Sequence, residues 1–108
     1  MHRKDIIAEL RSQADAIRAF GVTALYLYGS AVRDEVQEAS DVDLFADVDY
    51  NRFGFVPFMD LREFLANILE RNVDFTTCNA LHPDLKERII SSAIKVFDDA
   101  PIDTVAAE

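Results

Sequence analysis

The chain has a single cysteine, Cys78, which excludes an internal disulfide framework and any cysteine-based zinc cluster. Basic residues are also scarce. Eleven Lys and Arg face twenty Asp and Glu, a formal charge of −9, so the surface is unsuited to direct binding of a nucleic-acid backbone. No apolar run is long enough to span a bilayer, and the N-terminal stretch MHRKDIIAEL has no secretory hydrophobic region, which leaves no membrane role and a cytoplasmic protein as the expectation. Internal repeats and low-complexity segments are absent. So are GxxxxGK[ST] and GxGxxG, which disfavours a P-loop kinase or a dinucleotide enzyme. What remains is substantial: half of the 108 residues are hydrophobic and eight are Phe, enough to bury one core, and the expectation is one domain over residues 1–108.

Ile6, Leu10, Ile17 and Phe20 recur near helical spacing, with Asp5 as the expected N-cap and Gly21 as the stop. TALYLY, residues 23–28, is apolar on both faces and reads as a central strand. GSAVRDEV then reads as a short helix opened by Gly29 and Ser30. DVDLFADVD, residues 41–49, alternates with period two: Val42, Leu44, Ala46 and Val48 point one way, and Asp41, Asp43, Phe45, Asp47 and Asp49 the other. A loop over Tyr50 to Val56 leads to a helix whose first residue is expected to be Pro57. NVDFTT gives a further strand, Pro83 opens a last helix, Val96 and Phe97 form a short apolar piece, and the tail PIDTVAAE is expected to fray. The order is α-β-α-β-α-β-α, an α/β (α+β) domain of two or three layers. The link between the first two strands is too short for a crossover, so they should be antiparallel and the sheet mixed.

That pattern selects three carboxylates. Asp41 and Asp43 project from one face of one strand, their Cα atoms about 6.6 Å apart. Asp74 lies opposite Val73 and Phe75 on another strand. If the two strands are neighbours with core faces aligned, the three acids converge and repel one another, and a metal ion is the simplest compensation. Oxygen-only ligands select Mg²⁺ or Mn²⁺, and such ions stabilise the attacking and leaving oxygens of a phosphoryl displacement. At the end of the first strand, Gly29 allows a sharp turn and a close approach to a ligand, and Ser30 offers a hydroxyl beside a helix N-terminus that suits a phosphate. Ser40 shapes the turn into the acidic strand through its hydroxyl. Arg33 has two readings of equal weight, a phosphate contact or an ion pair with Asp34, Glu35 or Glu38. Asp47 and Asp49 read as surface residues, Tyr26 and Tyr28 as packing, Cys78 as half-buried, and His2 and His82 as uninvolved. Phe53, Phe55 and Phe58 read as core in preference to a base-stacking or partner surface.

YGSAVRDEVQEASDVDLF resembles the signature of the DNA polymerase beta-type nucleotidyltransferases: Gly-Ser, a spacer, then Asp-x-Asp. With NVDF following about thirty residues later, almost the whole chain is similar to the minimal nucleotidyltransferases (MNT). The resemblance implies the nucleotidyltransferase fold. It implies Asp41, Asp43 and Asp74 as catalytic and metal-binding residues, and Gly29 and Ser30 on the nucleotide phosphates, with Arg33 and Ser40 in the same nucleotide-binding segment. Asp34 departs from the family, where many members have Gly after the Arg, and adds negative charge near the phosphate turn. The resemblance further implies a partner. MNT proteins pair with HEPN ribonuclease toxins, and the MNT antitoxin adds AMP from ATP to a tyrosine of the toxin. The rival readings are an antitoxin that acts by binding alone and a small-molecule, aminoglycoside-type nucleotidyltransferase. With no residues to spare for an acceptor-binding domain, the acceptor is expected to dock on the domain surface.

Overall fold

The computed structural model describes residues 3–29, 32 and 41–98. The first helical stretch is two helices, α1 (Arg3–Ser12) and α2 (Ala14–Ala19). The ladder breaks at Gln13, whose backbone sits at φ −108°, ψ 16°. The break lets α2 follow the sheet: Ala14 and Ile17 are buried on it, while Ile6 and Leu10 are buried on α1. Asp5 is not the N-cap expected from the sequence. The helix already runs from Arg3, so Asp5 lies in its first turn, where a carboxylate complements the helix dipole. Gly21 does end α2. Its φ of +110° is the conformation an L side chain resists, and its N–H donates to the Arg18 carbonyl at 2.9 Å.

Strand β1 (Val22–Tyr28) pairs antiparallel with β2 (Val42–Val48), as the short connection requires. Strand β2 pairs parallel with β3 (Val73–Thr77), and α3 (Phe55–Leu69) makes the crossover between them. Helix α3 begins two residues earlier than expected, capped by extended Gly54, and Pro57 sits within the first turn, where its missing N–H costs nothing. A short 3₁₀ turn (Cys78–Ala80) leads to α4 (Pro83–Ser92), which Pro83 does open. The apolar piece at Val96 and Phe97 belongs to a fourth strand, β4 (Ile94–Phe97), antiparallel to β1. The mixed sheet has the order β3-β2-β1-β4.

The register sorts the side chains. Leu25 faces Ala46, Leu27 faces Leu44, and Leu44 faces Phe75, so one sheet face is continuously apolar. It joins Ile6, Leu10, Leu61, Leu65 and Leu69 from the helices in one buried core. Phe53 and Phe58 belong to this side too; the Phe58 ring lies 5.4 Å from that of Phe75. The opposite face carries Tyr26, Tyr28, Asp43, Phe45 and Asp74. Phe45 is nevertheless only 1% exposed, because Tyr26 stacks on it at 4.8 Å and 10° and Tyr28 tilts against it at 5.5 Å. This aromatic stack floors the second face and confirms both tyrosines as packing residues. Among the described residues, no helix is long and apolar enough to cross a membrane.

Candidate active site

Asp43 stands in the middle of the sheet, with Tyr28 of β1 as its pairing partner on one side and Asp74 of β3 on the other. Adjacent strands lie about 4.8 Å apart, and residues in register point to the same face, so Asp43 and Asp74 are side by side. Asp41, exposed just before β2, adds the third carboxylate. The condition attached to their convergence, neighbouring strands with aligned core faces, is met: Val42 pairs with Val73 and Leu44 with Phe75.

The electrostatics show the cost of that convergence. Burial pushes the Asp43 carboxyl up from its ordinary value, and the charges of Asp74 and then Asp41 push it further. Tyr28 beside it is pushed up to about 12, by burial first and then by Asp43 and Asp74. Among the described residues none of the three acids has an ion pair; Arg18–Asp15 and Lys95–Asp98 both lie elsewhere. Among the described residues no cation offsets this repulsion, and a divalent cation fits it. No three His, Cys, Asp or Glu side chains among the described residues form a ready-made metal cage. An open set of carboxylates still suits Mg²⁺, which is commonly held by one or two carboxylates together with substrate phosphates.

Gly29 closes the site on the β1 side. Its φ is +74°, and a Cβ built there would overlap Asp43 Oδ2 and lie 3.1 Å from Asp43 Cγ. The turn therefore packs its backbone directly against the central carboxylate, and only glycine allows that approach. The sequence suggested a close approach to a ligand; the structure adds one to Asp43. Arg3 Nη1 donates to the Val32 carbonyl at 2.6 Å, tying the start of α1 to the segment after the turn. Ser30, Arg33 and Ser40 lie outside the described residues, as do Asp34, Glu35 and Glu38 and the helix expected after Gly29.

Two clefts flank Asp43. One, of about 550 Å³, is lined by Asp41 and Asp74 together with Met59, Arg62, Glu63 and Asn72. The other, of about 570 Å³, is lined by Tyr28, Gly29 and Val32 with Leu85, Arg88 and Ile89 of α4. Sequence reasoning singled out neither Met59 and Arg62 nor Arg88, since nothing local marks a helix residue as facing a distant strand. Of the residues set aside, Asp49 builds the turn after β2: its Oδ1 accepts from the Asn51 N–H at 3.0 Å. His82, expected to be uninvolved, caps α4 by accepting from the Asp84 N–H at 3.1 Å, a structural role away from the acids.

The comparisons bear on the family and the fold. A Methanocaldococcus jannaschii protein, MJ0435, whose name assigns it provisionally to the protein adenylyltransferases, is 33% identical over 77 residues, which cover 71% of this chain and 82% of that protein. A solved structure described provisionally as a minimal nucleotidyltransferase superposes with a TM-score of 0.77 at 26% identity, over 87% of this chain and 95% of its own. Two toxin–antitoxin structures share the fold. One, with AMP-PNP, has a TM-score of 0.66 at 18% identity over 91% of this chain and 74% of its own. The other is a tri-AMPylated Shewanella oneidensis HEPN toxin in complex with its MNT antitoxin, with a TM-score of 0.59 at 15% identity over 82% of this chain and 69% of its own. The polymerase beta nucleotidyltransferase model matches residues 5–101, so the chain belongs to the polymerase beta-type nucleotidyltransferase family.

Proposed function

We propose that this protein is an antitoxin that transfers AMP from ATP to a tyrosine hydroxyl of a partner HEPN ribonuclease. The observation that carries the reading is the register that sets Asp43 beside Asp74 while the Gly29 turn packs against Asp43. An acidic pair with no ion-pair partner among the described residues thus lies next to a backbone turn that suits phosphates. The adenylyltransferase name of the M. jannaschii relative and the AMPylated toxin bound to an MNT antitoxin support the acceptor class. The AMP-PNP complex supports ATP as donor.

Asp41, Asp43 and Asp74 would hold Mg²⁺ or Mn²⁺, which when bound neutralises charge on the phosphates and on the oxygens of the displacement. Gly29 and Ser30 position the triphosphate, and Arg33 and Ser40 belong to the same nucleotide-binding segment. Asp74 takes the phenolic proton. The tyrosine oxygen forms a bond to the α-phosphorus, the bond from that phosphorus to the β-bridging oxygen breaks, and pyrophosphate leaves. The product carries a bulky anion near the ribonuclease active site, where it opposes RNA phosphate by sterics and by charge. The test is direct: incubate the chain with ATP, Mg²⁺ and the product of the neighbouring gene, expected to be the HEPN ribonuclease, and read the intact mass of the latter. One or more adenylyl additions are expected. Neutralisation of the ribonuclease with no mass change would favour action by binding alone, and modification of an aminoglycoside in its place would favour the small-molecule reading.

A further inference from the structure

Asp41 and Asp74 face more than Asp43. Both also line the 550 Å³ cleft between α3 and the start of β3. The sheet order sets this cleft on the β3 side of Asp43, and the Gly29 turn with the second cleft on the β1 side. An in-line displacement needs the attacking and leaving oxygens on opposite sides of the phosphorus. With the triphosphate tail at Gly29, the attacking hydroxyl must arrive from the β3 side.

We propose that the α3–β3 cleft seats the acceptor, a tyrosine on a basic polypeptide segment, with its ring against Met59 and Ala66 and its hydroxyl at Asp74. The inference rests on the function proposed above and adds to it the docking site. Four features define the occupant. The walls combine Met59, Ala66 and Val73 with three carboxylates, which suits a side chain with an apolar body and a polar tip. Met59 is 40% exposed, and its thioether is a favourable neighbour for an aromatic ring. Asp41, Glu63 and Asp74 outnumber Arg62 along the lining, and the chain carries −9, so basic residues beside the tyrosine are attracted. Val56, 65% exposed and one helical turn before Met59, extends the apolar strip along α3 for the residues flanking the acceptor.

The experiment compares Met59→Glu and Met59→Leu with wild type in steady-state AMP transfer to the HEPN protein, alongside the thermal shift produced by Mg²⁺ and AMP-PNP. Met59→Glu should raise the KM for the protein acceptor about tenfold or more, the loss expected from exchanging a buried apolar contact for a charge. It should leave the KM for ATP and the nucleotide-induced shift unchanged. Met59→Leu keeps the apolar wall and should stay within about threefold of wild type. An unchanged acceptor KM in Met59→Glu overturns the cleft assignment, and so does an equal rise in the KM for ATP. Failure of the underlying function looks different: wild type itself would bind Mg²⁺ and AMP-PNP yet transfer nothing to the protein.

Discussion

Gly29→Ala perturbs the point where the turn meets the acids. The substitution does two separable things. It places an L side chain at φ +74°, which costs about 1–2 kcal/mol of backbone strain. It also drives a methyl group into Asp43 Oδ2, so the carboxylate must rotate or the turn must lift. Strain alone should lower the melting temperature by roughly 4–16 °C for a domain of this size. A misplacement of about 1 Å at a reacting centre costs on the order of 100-fold in rate, and that is the expected loss of AMP transfer. Gly21→Ala is the matched control. Its φ is +110°, but the added Cβ meets only Phe53 and Arg52 at 3.4 and 3.5 Å, away from the acids. Urea unfolding and AMP transfer on both variants separate the effects. Gly21→Ala should lose stability and keep its rate, while Gly29→Ala loses both. A Gly29→Ala enzyme with wild-type transfer would refute the claim that the turn and Asp43 are fitted to each other.

Three further outcomes can be measured on single variants. Asp43 has a folded pKa above its ordinary 3.8, so its contribution to stability is fully present at more acid pH and is lost as pH rises through the folded pKa. In EDTA, Asp43→Asn should therefore be as stable as wild type or more so at neutral pH, with a flatter decline as pH rises above the ordinary carboxylate value, and should lose the thermal shift given by Mg²⁺ with a nucleotide; a retained shift would rule out Asp43 as a metal ligand. Ser30→Ala should weaken nucleotide binding roughly tenfold by calorimetry, the worth of a hydroxyl donor to a charged phosphate, and wild-type affinity would reduce Ser30 to a helix start. Cys78 has its thiol pushed up from its ordinary value by burial and then by the charge of Asp47, so iodoacetamide should react slowly at pH 8, and Asp47→Asn should speed the reaction; equal rates would contradict the influence of Asp47.

The acidic half of the candidate site was legible because it is a local pattern, and of the second half Gly29 lies among the described residues while Ser30, Arg33 and Ser40 lie outside them. Period-two alternation in DVDLFADVD puts Asp41 and Asp43 on one face, and a Gly-Ser pair after an apolar strand marks a turn. The convergence with Asp74 was legible only as a condition, since pairing register between strands about thirty residues apart is set by tertiary packing. The fourth strand escaped notice because Ile94–Phe97 is four residues long and follows a helix directly, too short for a period to show. The break at Gln13 was hidden because Ile6, Leu10, Ala14 and Ile17 keep a continuous helical spacing across it. Phe45 was placed on the acidic face correctly, yet its burial depends on Tyr26 and Tyr28 arriving from the neighbouring strand. The two clefts are tertiary features throughout, which is why Met59, Arg62 and Arg88 carried no mark in the chain.

The central claim is that these carboxylates make the chain an AMP-transferring enzyme. Intact-mass analysis of the HEPN partner after incubation with ATP and Mg²⁺ tests it most directly, with wild type run beside the Asp41→Asn, Asp43→Asn double variant. The account predicts adenylyl additions and a silenced ribonuclease with wild type, and an unmodified, active ribonuclease with the double variant. A double variant that silences the ribonuclease as well as wild type does, with the partner's mass unchanged in both, would contradict it.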